Sequence, residues 1–204
     1  MKRDEKNSIS TRKIMDYALI EFGEQGYRSS SINKICSEGN ISKGILYHYF
    51  KDKDELYLAC VKELFDCLTQ FLKSELVNSL KNKTLQLERY FDARQEFFKQ
   101  HPMYQNIFCD VVITPPKHLL SRIHELKNDF DKFNISILTS LLQDLKLQEN
   151  ISIELAVDTL RLFQDFISAR YQMQSDEIDL KEYEMTCKRT LHILLYGVVE
   201  RKGE

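Results

Sequence analysis

Apolar residues recur at helical spacing almost without a break from residue 9 to residue 199, and no stretch alternates convincingly with the two-residue period of a strand. This pattern constrains the fold more than any single motif. The chain has 204 residues but only three prolines and six glycines. That is too few turn formers for a turn-rich β fold, so an all-α fold of about nine helices is expected. The first helix carries Ile9, Ile14, Ala18, Leu19 and Phe22 and ends near Gly23 and Gly26. Ser31 is placed to cap a second helix over 31–38. Gly39-Asn40 follows as a turn, both residues tolerating positive φ. Ser42 is placed to cap a third helix, in which Ile45, Leu46 and Tyr49 are spaced to pack inward. Asp52 and Glu55 have the spacing of a capping box and open a long helix to about residue 80. Further helices are predicted over 84–100, 103–112 (behind Pro102), 117–145, 152–172 and 180–200.

Bulk properties exclude several classes. Hydrophobic residues make up 43% and charged residues 29%, which fits a globular protein that buries a core. Apolar runs such as 135–142 are too short and interrupted to span a bilayer, so no membrane partner is expected. The opening Met-Lys-Arg-Asp-Glu-Lys has no apolar signal region, which makes the cytoplasm the expected location. The five cysteines, at 36, 60, 67, 109 and 187, include no Cys-x-x-Cys pair. Buried thiols are therefore expected, rather than a disulfide framework or a metal site. Gly-x-Ser-x-Gly, Walker, dinucleotide and His-Glu-x-x-His motifs are all missing, so neither catalysis nor a cofactor is expected.

The net charge is −2, with ten Lys/Arg against nine Asp/Glu in residues 1–56. That balance does not point to nucleic acid by itself; the placement of the cations does. Lys43, Lys51 and Lys53 surround the third helix, and Lys2, Arg3, Lys6, Arg12 and Lys13 cluster at the amino end. Two short helices joined by a tight turn, the second with polar tips, form a helix-turn-helix able to enter a DNA major groove. Lys43 is positioned to reach a guanine edge or a phosphate. Gly44 removes a side chain where a helix must approach closely, since a mid-helix glycine needs a reason. Tyr47 and His48 can donate hydrogen bonds to backbone or bases. Ser31 and Ser42 can bond phosphate while capping. Phe50 reads as core.

These residues carry a resemblance. Ile14, Ala18, Phe22, Gly26-Tyr27, Ser31-Ile32, Ile35, Ile41-Ser42-Lys43-Gly44, Leu46-Tyr47-His48-Tyr49-Phe50 and Lys53-Asp54-Glu55-Leu56-Tyr57 follow one another as in the TetR (tetracycline-repressor) family. The chain resembles that family over about residues 9–60, with Asn40 where the family usually has glycine. The resemblance implies a DNA-binding domain over 1–55 and a helical ligand-binding and dimerisation domain over 56–204. It implies a dimeric repressor, released from a palindromic operator on double-stranded DNA by a small-molecule effector. It also assigns phosphate contacts to Tyr47, to His48 or Tyr49, and to Lys53.

In the second part, aromatic residues recur at helical spacing, and an apolar cavity with a few polar groups would suit a small ligand. Tyr90, Arg94, Phe97, Tyr104, Phe108, Phe133, Phe163, Phe166 and Arg170 are the candidate lining. Arg94 and Arg170 interrupt apolar stripes; each either anchors an anionic ligand or pairs with an acid such as Asp110 or Asp165. The last two helices are apolar on more than one side, which predicts a homodimer through them. A helical adaptor or ligand-binding protein without DNA binding is the alternative.

Overall fold

The computed structural model describes the backbone of residues 3–76, 83–173 and 180–198, and the side chains within them except 3–8, 76, 168–173, 180–184, 187 and 198. Nine α-helices and no β-strand are found among these residues: α1 Arg3–Ser29, α2 Ile32–Glu38, α3 Lys43–Tyr49, α4 Lys53–Leu76, α5 Lys83–Gln100, α6 Pro102–Ile113, α7 Leu120–Gln143, α8 Ile153–Met173 and α9 Leu180–Val198. The all-α expectation holds. Lys117–Leu119 is a 3-10 turn rather than the start of α7. The chain breaks expected at Asn82 and at Ser175-Asp176 lie outside the described residues, as does the side chain of Arg170.

The chain forms two compact units. One comprises residues 1–67 with 98–128, the other residues 68–97 with 129–204. In the first, α1 lies along α6 and contacts α2, which contacts α3. Its core joins Ile14, Ala18 and Phe22 of α1, Ile35 of α2, Leu46 of α3, Leu56, Tyr57, Leu64 and Phe65 of α4, and Ile107 and Phe108 of α6, all essentially fully buried. Phe22 meets Tyr57 edge-on at 5.1 Å, and Phe65 and Phe98 both meet Phe108, at 6.1 and 5.2 Å. In the second unit, Leu87, Tyr90, Phe97, Leu138, Leu142, Ala156 and Leu160 are the buried centre.

The close approach of α1 to α6 depends on glycine. A Cβ on Gly23 would come within 3.0 Å of the Met103 backbone, and the Gly23 carbonyl accepts a hydrogen bond from Asn106 Nδ2 at 2.9 Å. Three residues on, Gly26 takes φ 68°, and the Tyr27 N–H turns to donate to Asp110 Oδ2 at 2.9 Å. α1 continues for one more turn past the kink, to Ser29.

Two residues expected inside are not. Ile9 and Ile45 are exposed. Each satisfies the period but sits at the edge of its stripe, and period alone does not say where a stripe ends.

Candidate nucleic-acid interface

The turn between α2 and α3 is fixed by backbone bonds of the Schellman type. The Ile41 N–H donates to Cys36 O at 2.9 Å and the Asn40 N–H to Ser37 O at 3.2 Å. Asn40 is left-handed, at φ 45°, as the sequence allows. Gly39 is not: its φ is −76°. Glycine is needed there for space, because a Cβ would lie 2.6 Å from Ile41 Cδ1 and 2.9 Å from Tyr17 Cδ2. Ser42 caps α3 as expected, accepting from the Ile45 N–H at 3.2 Å. Ser31 does not cap α2 with its hydroxyl; instead its own N–H donates to Glu21 Oε1 at 2.8 Å, and Lys34 pairs with Glu21 Oε2 at 3.0 Å.

α3 is held by one edge. Leu46 and Phe50 are buried and Tyr49 is half-buried, whereas Lys43, Gly44, Ile45, Tyr47 and His48 are all exposed. At about 100° per residue, the exposed positions cover an arc of roughly 200°. Gly44 and His48 lie in the middle of that arc. Lys43 and Tyr47 form one flank, and Ile45 forms the other. The space over Gly44 is open: the only atom near an added Cβ is Ser42 Oγ at 4.0 Å. The arc therefore presents a cation, a phenol, an imidazole and an apolar group around a bare stretch of backbone. Ile45 is the member that sequence reasoning missed, since its period placed it inside.

The start of α4 is braced against the end of α1. Asp52 Oδ1 accepts from the Glu55 N–H at 2.8 Å, and Glu55 Oε2 accepts from the Lys51 N–H at 2.7 Å, one residue before the expected capping-box partner. Lys53 bends inward, with Nζ 2.7 Å from Ser30 O and 4.7 Å from the Tyr27 ring centre. Burial pushes its ammonium below the usual lysine value. The Tyr27 hydroxyl donates to Asp54, and His118 Nε2 lies 3.2 Å from that hydroxyl and 3.1 Å from Asp54 Oδ2. Burial and the Asp54 bond raise the Tyr27 phenol to about 12. Farther along α4, Glu63 gathers Arg12 of α1 at 2.8 Å and the Tyr104 hydroxyl of α6 at 2.6 Å. The sequence offers Asp110 only as a partner for an arginine and gives no signal for His118 or Glu63, because their partners lie 83, 91 and 51 residues away.

Residues 14–60 match the family of bacterial regulatory proteins called tetR. That match covers the helix-turn-helix and the start of α4. Among curated relatives, the transposon Tn10 TetC protein of Escherichia coli is 32% identical over 91 residues, which is 43% of this chain and 46% of that one. The biofilm operon icaADBC negative transcriptional regulator IcaR of Staphylococcus epidermidis is 35% identical over 60 residues, 29% of this chain and 32% of its own. The chain thus spans less than half the length of these curated relatives. Across the whole fold, it resembles the crystal structure of the transcriptional regulator FadR from Bacillus subtilis in complex with stearoyl-CoA, with a TM-score of 0.76 at 19% identity, covering 91% of this chain and 98% of that one.

The candidate effector residues divide between the two units. Tyr104 and Phe108 belong to the first unit, where Phe108 is core and Tyr104 is bonded to Glu63. Tyr90 and Phe97 are fully buried in the second unit. Phe163 lies 6.0 Å from Phe91, and Phe133 sits under Lys73 Nζ at 5.3 Å. Phe166 is 62% exposed and shares an outward face with Leu155 and Leu162. Within the second unit, a buried polar seam runs from the Tyr90 hydroxyl to Asn134 Oδ1 at 2.5 Å, and from Arg94 to Gln164 Oε1 at 3.0 Å and Asp165 at 3.4 Å. Of the two readings offered for Arg94, the pairing with Asp165 is present. No group of three His, Cys, Asp or Glu side chains with metal-binding geometry occurs among the described residues, and none of their helices is long and apolar enough to cross a membrane.

Proposed function

We propose that this chain is a sequence-specific repressor that binds a palindromic operator as a homodimer and leaves it when a small molecule binds. Residues 1–55 act as the reading head, and residues 56–204 as the effector and dimer part. The observation that supports this best is the exposed arc of α3: a polar face around a bare glycine, carried on a helix-turn-helix that matches the tetR family. Lys43 and Tyr47 contact the duplex from one flank and His48 from the centre, with Ser42 beside them. Tyr49, half-buried against the ring of His48 at 5.1 Å, orients that imidazole. Ser31 and Lys53 contact phosphate at the rim of the head.

Dimerisation is assigned to α8 and α9. Leu155, Leu162 and Phe166 of α8, and Met185, Ile193 and Tyr196 of α9, are large apolar side chains left in solvent. Burying such surface is the main favourable term in association. For the effector, the buried seam around Arg94 would hold the polar end of an amphipathic ligand, with Tyr90, Phe97 and Phe163 along its apolar body. The stearoyl-CoA held by the FadR structure makes a long-chain acyl-CoA the first effector to try.

The test is selection of the purified chain on random duplex DNA, followed by titration of the enriched sequence at several salt concentrations, with and without stearoyl-CoA. A palindromic winner, a steep loss of affinity with salt and release by the acyl-CoA support all three parts of the reading. No enriched sequence leaves the adaptor reading; an enriched sequence indifferent to acyl-CoA removes that effector class.

A further inference from the structure

The exposed face of α3 contains two residues that neither folding nor phosphate binding explains. Ile45 is 47% exposed in the middle of a seven-residue helix. A β-branched residue is a weak helix former, and an apolar one in water gains nothing from burial. The fold would be served better there by a straight-chain polar residue. Its neighbour presents the same puzzle. Gly44 weakens a short helix, yet a Cβ there would meet nothing closer than 4.0 Å within the chain. Neither residue is required from inside, so both answer to something outside. Gly44 lies at the centre of the exposed arc and marks where that partner comes closest.

The partner's chemistry follows from the flanks. Lys43, Tyr47 and His48 supply donors on one side and in the centre of the arc, and Ile45 supplies only hydrocarbon on the other. Duplex DNA offers this pairing in the major groove, where phosphates and base acceptors lie beside one apolar feature, the C5 methyl of thymine. A second copy of this chain seated on the same arc would have to bury three polar side chains without partners, which disfavours a dry protein contact.

We infer that Ile45 is a specificity-determining residue that packs against a thymine methyl, while Gly44 lets the helix backbone sink far enough into the groove for that contact. This rests on the DNA-binding reading given above. Burying one methyl-sized group changes affinity by about fourfold.

The experiment takes the duplex enriched by selection and replaces each thymine in turn by uracil, which removes the methyl and leaves base pairing intact. The wild-type protein should lose about fourfold per half-site at one symmetric thymine position and little elsewhere. Ile45→Ala should bind the thymine duplex more weakly and show no penalty for uracil at that position, with its thermal unfolding unchanged. A selected duplex indifferent to uracil at every position, or a uracil penalty that persists in Ile45→Ala, overturns this inference while leaving DNA binding intact. Failure to enrich any duplex overturns the DNA reading and this inference together.

Discussion

At the residue scale, Gly44 separates folding from binding. Replacing it with alanine adds a methyl in open space and removes the helix penalty of glycine, so Gly44→Ala should raise stability by up to about 1 kcal/mol. The same methyl would stand between the backbone and the duplex, so affinity for the operator should fall. Urea unfolding and a DNA titration on the same preparation test this; a variant that is more stable and binds equally well would remove the close-approach role. Lys53 behaves in the opposite way. Its ammonium already serves the Ser30 carbonyl and the Tyr27 ring. Lys53→Ala should therefore lower the thermal midpoint as well as reduce the salt dependence of DNA binding by about one counterion per subunit. A change in salt slope with no change in midpoint would mean that the internal contacts contribute nothing.

At the element scale, the joint between α1 and α6 holds the head. Met103, Asn106 and Asp110 fall on one face of α6 and meet Gly23 and the kink at Gly26. Gly26→Ala forces an L-residue into the left-handed region and brings a Cβ to 3.1 Å from the Asp110 carboxylate. The backbone term alone should cost about 1–2 kcal/mol, read as a lower urea midpoint with unchanged slope. This joint also shows what the sequence made legible. The nine helices among the described residues, the left-handed Asn40 and the cap at Ser42 follow from local period and turn chemistry, and all three are present. The glycines were legible as glycines but not by cause: Gly39 was legible as a residue that tolerates positive φ, whereas its φ is −76° and its bare Cα avoids Ile41 and Tyr17. Asp110 was legible only as an acid for an arginine to pair with; its bond to the Tyr27 N–H, 83 residues earlier, was not, since no local pattern encodes a contact at that range. Ile45 was misplaced inward because a seven-residue helix offers too few turns to define the centre of its apolar stripe.

At the scale of the whole molecule, two measurements apply. The double substitution Leu162→Glu, Ile193→Glu puts charges on side chains that are 71% and 72% exposed in the single chain, so helicity should be kept. If α8 and α9 pair two copies, sedimentation should show half the mass, and operator affinity should fall with it; an unchanged mass would place the interface elsewhere. Alkaline stability should depend on tyrosine phenols raised in the fold of both units. Burial raises Tyr27 and Tyr90 from 10.0 to about 12, and lifts Tyr57 and Tyr104 as well. An acid whose value is higher in the fold keeps its proton there while the unfolded chain loses it. Stability should then be unaffected below pH 10 and fall as pH rises toward 12. Phenolate absorbance from these tyrosines should appear together with unfolding rather than before it. The side chains at 43, 44, 45, 47 and 48 lie outside the core, which Leu46 and Phe50 hold from beneath. Proline aside, mutational drift at those five positions should therefore cost the fold no more than about 1 kcal/mol each: a library of the other residues there should yield mostly soluble members, and new operator preferences can be evolved on one chassis.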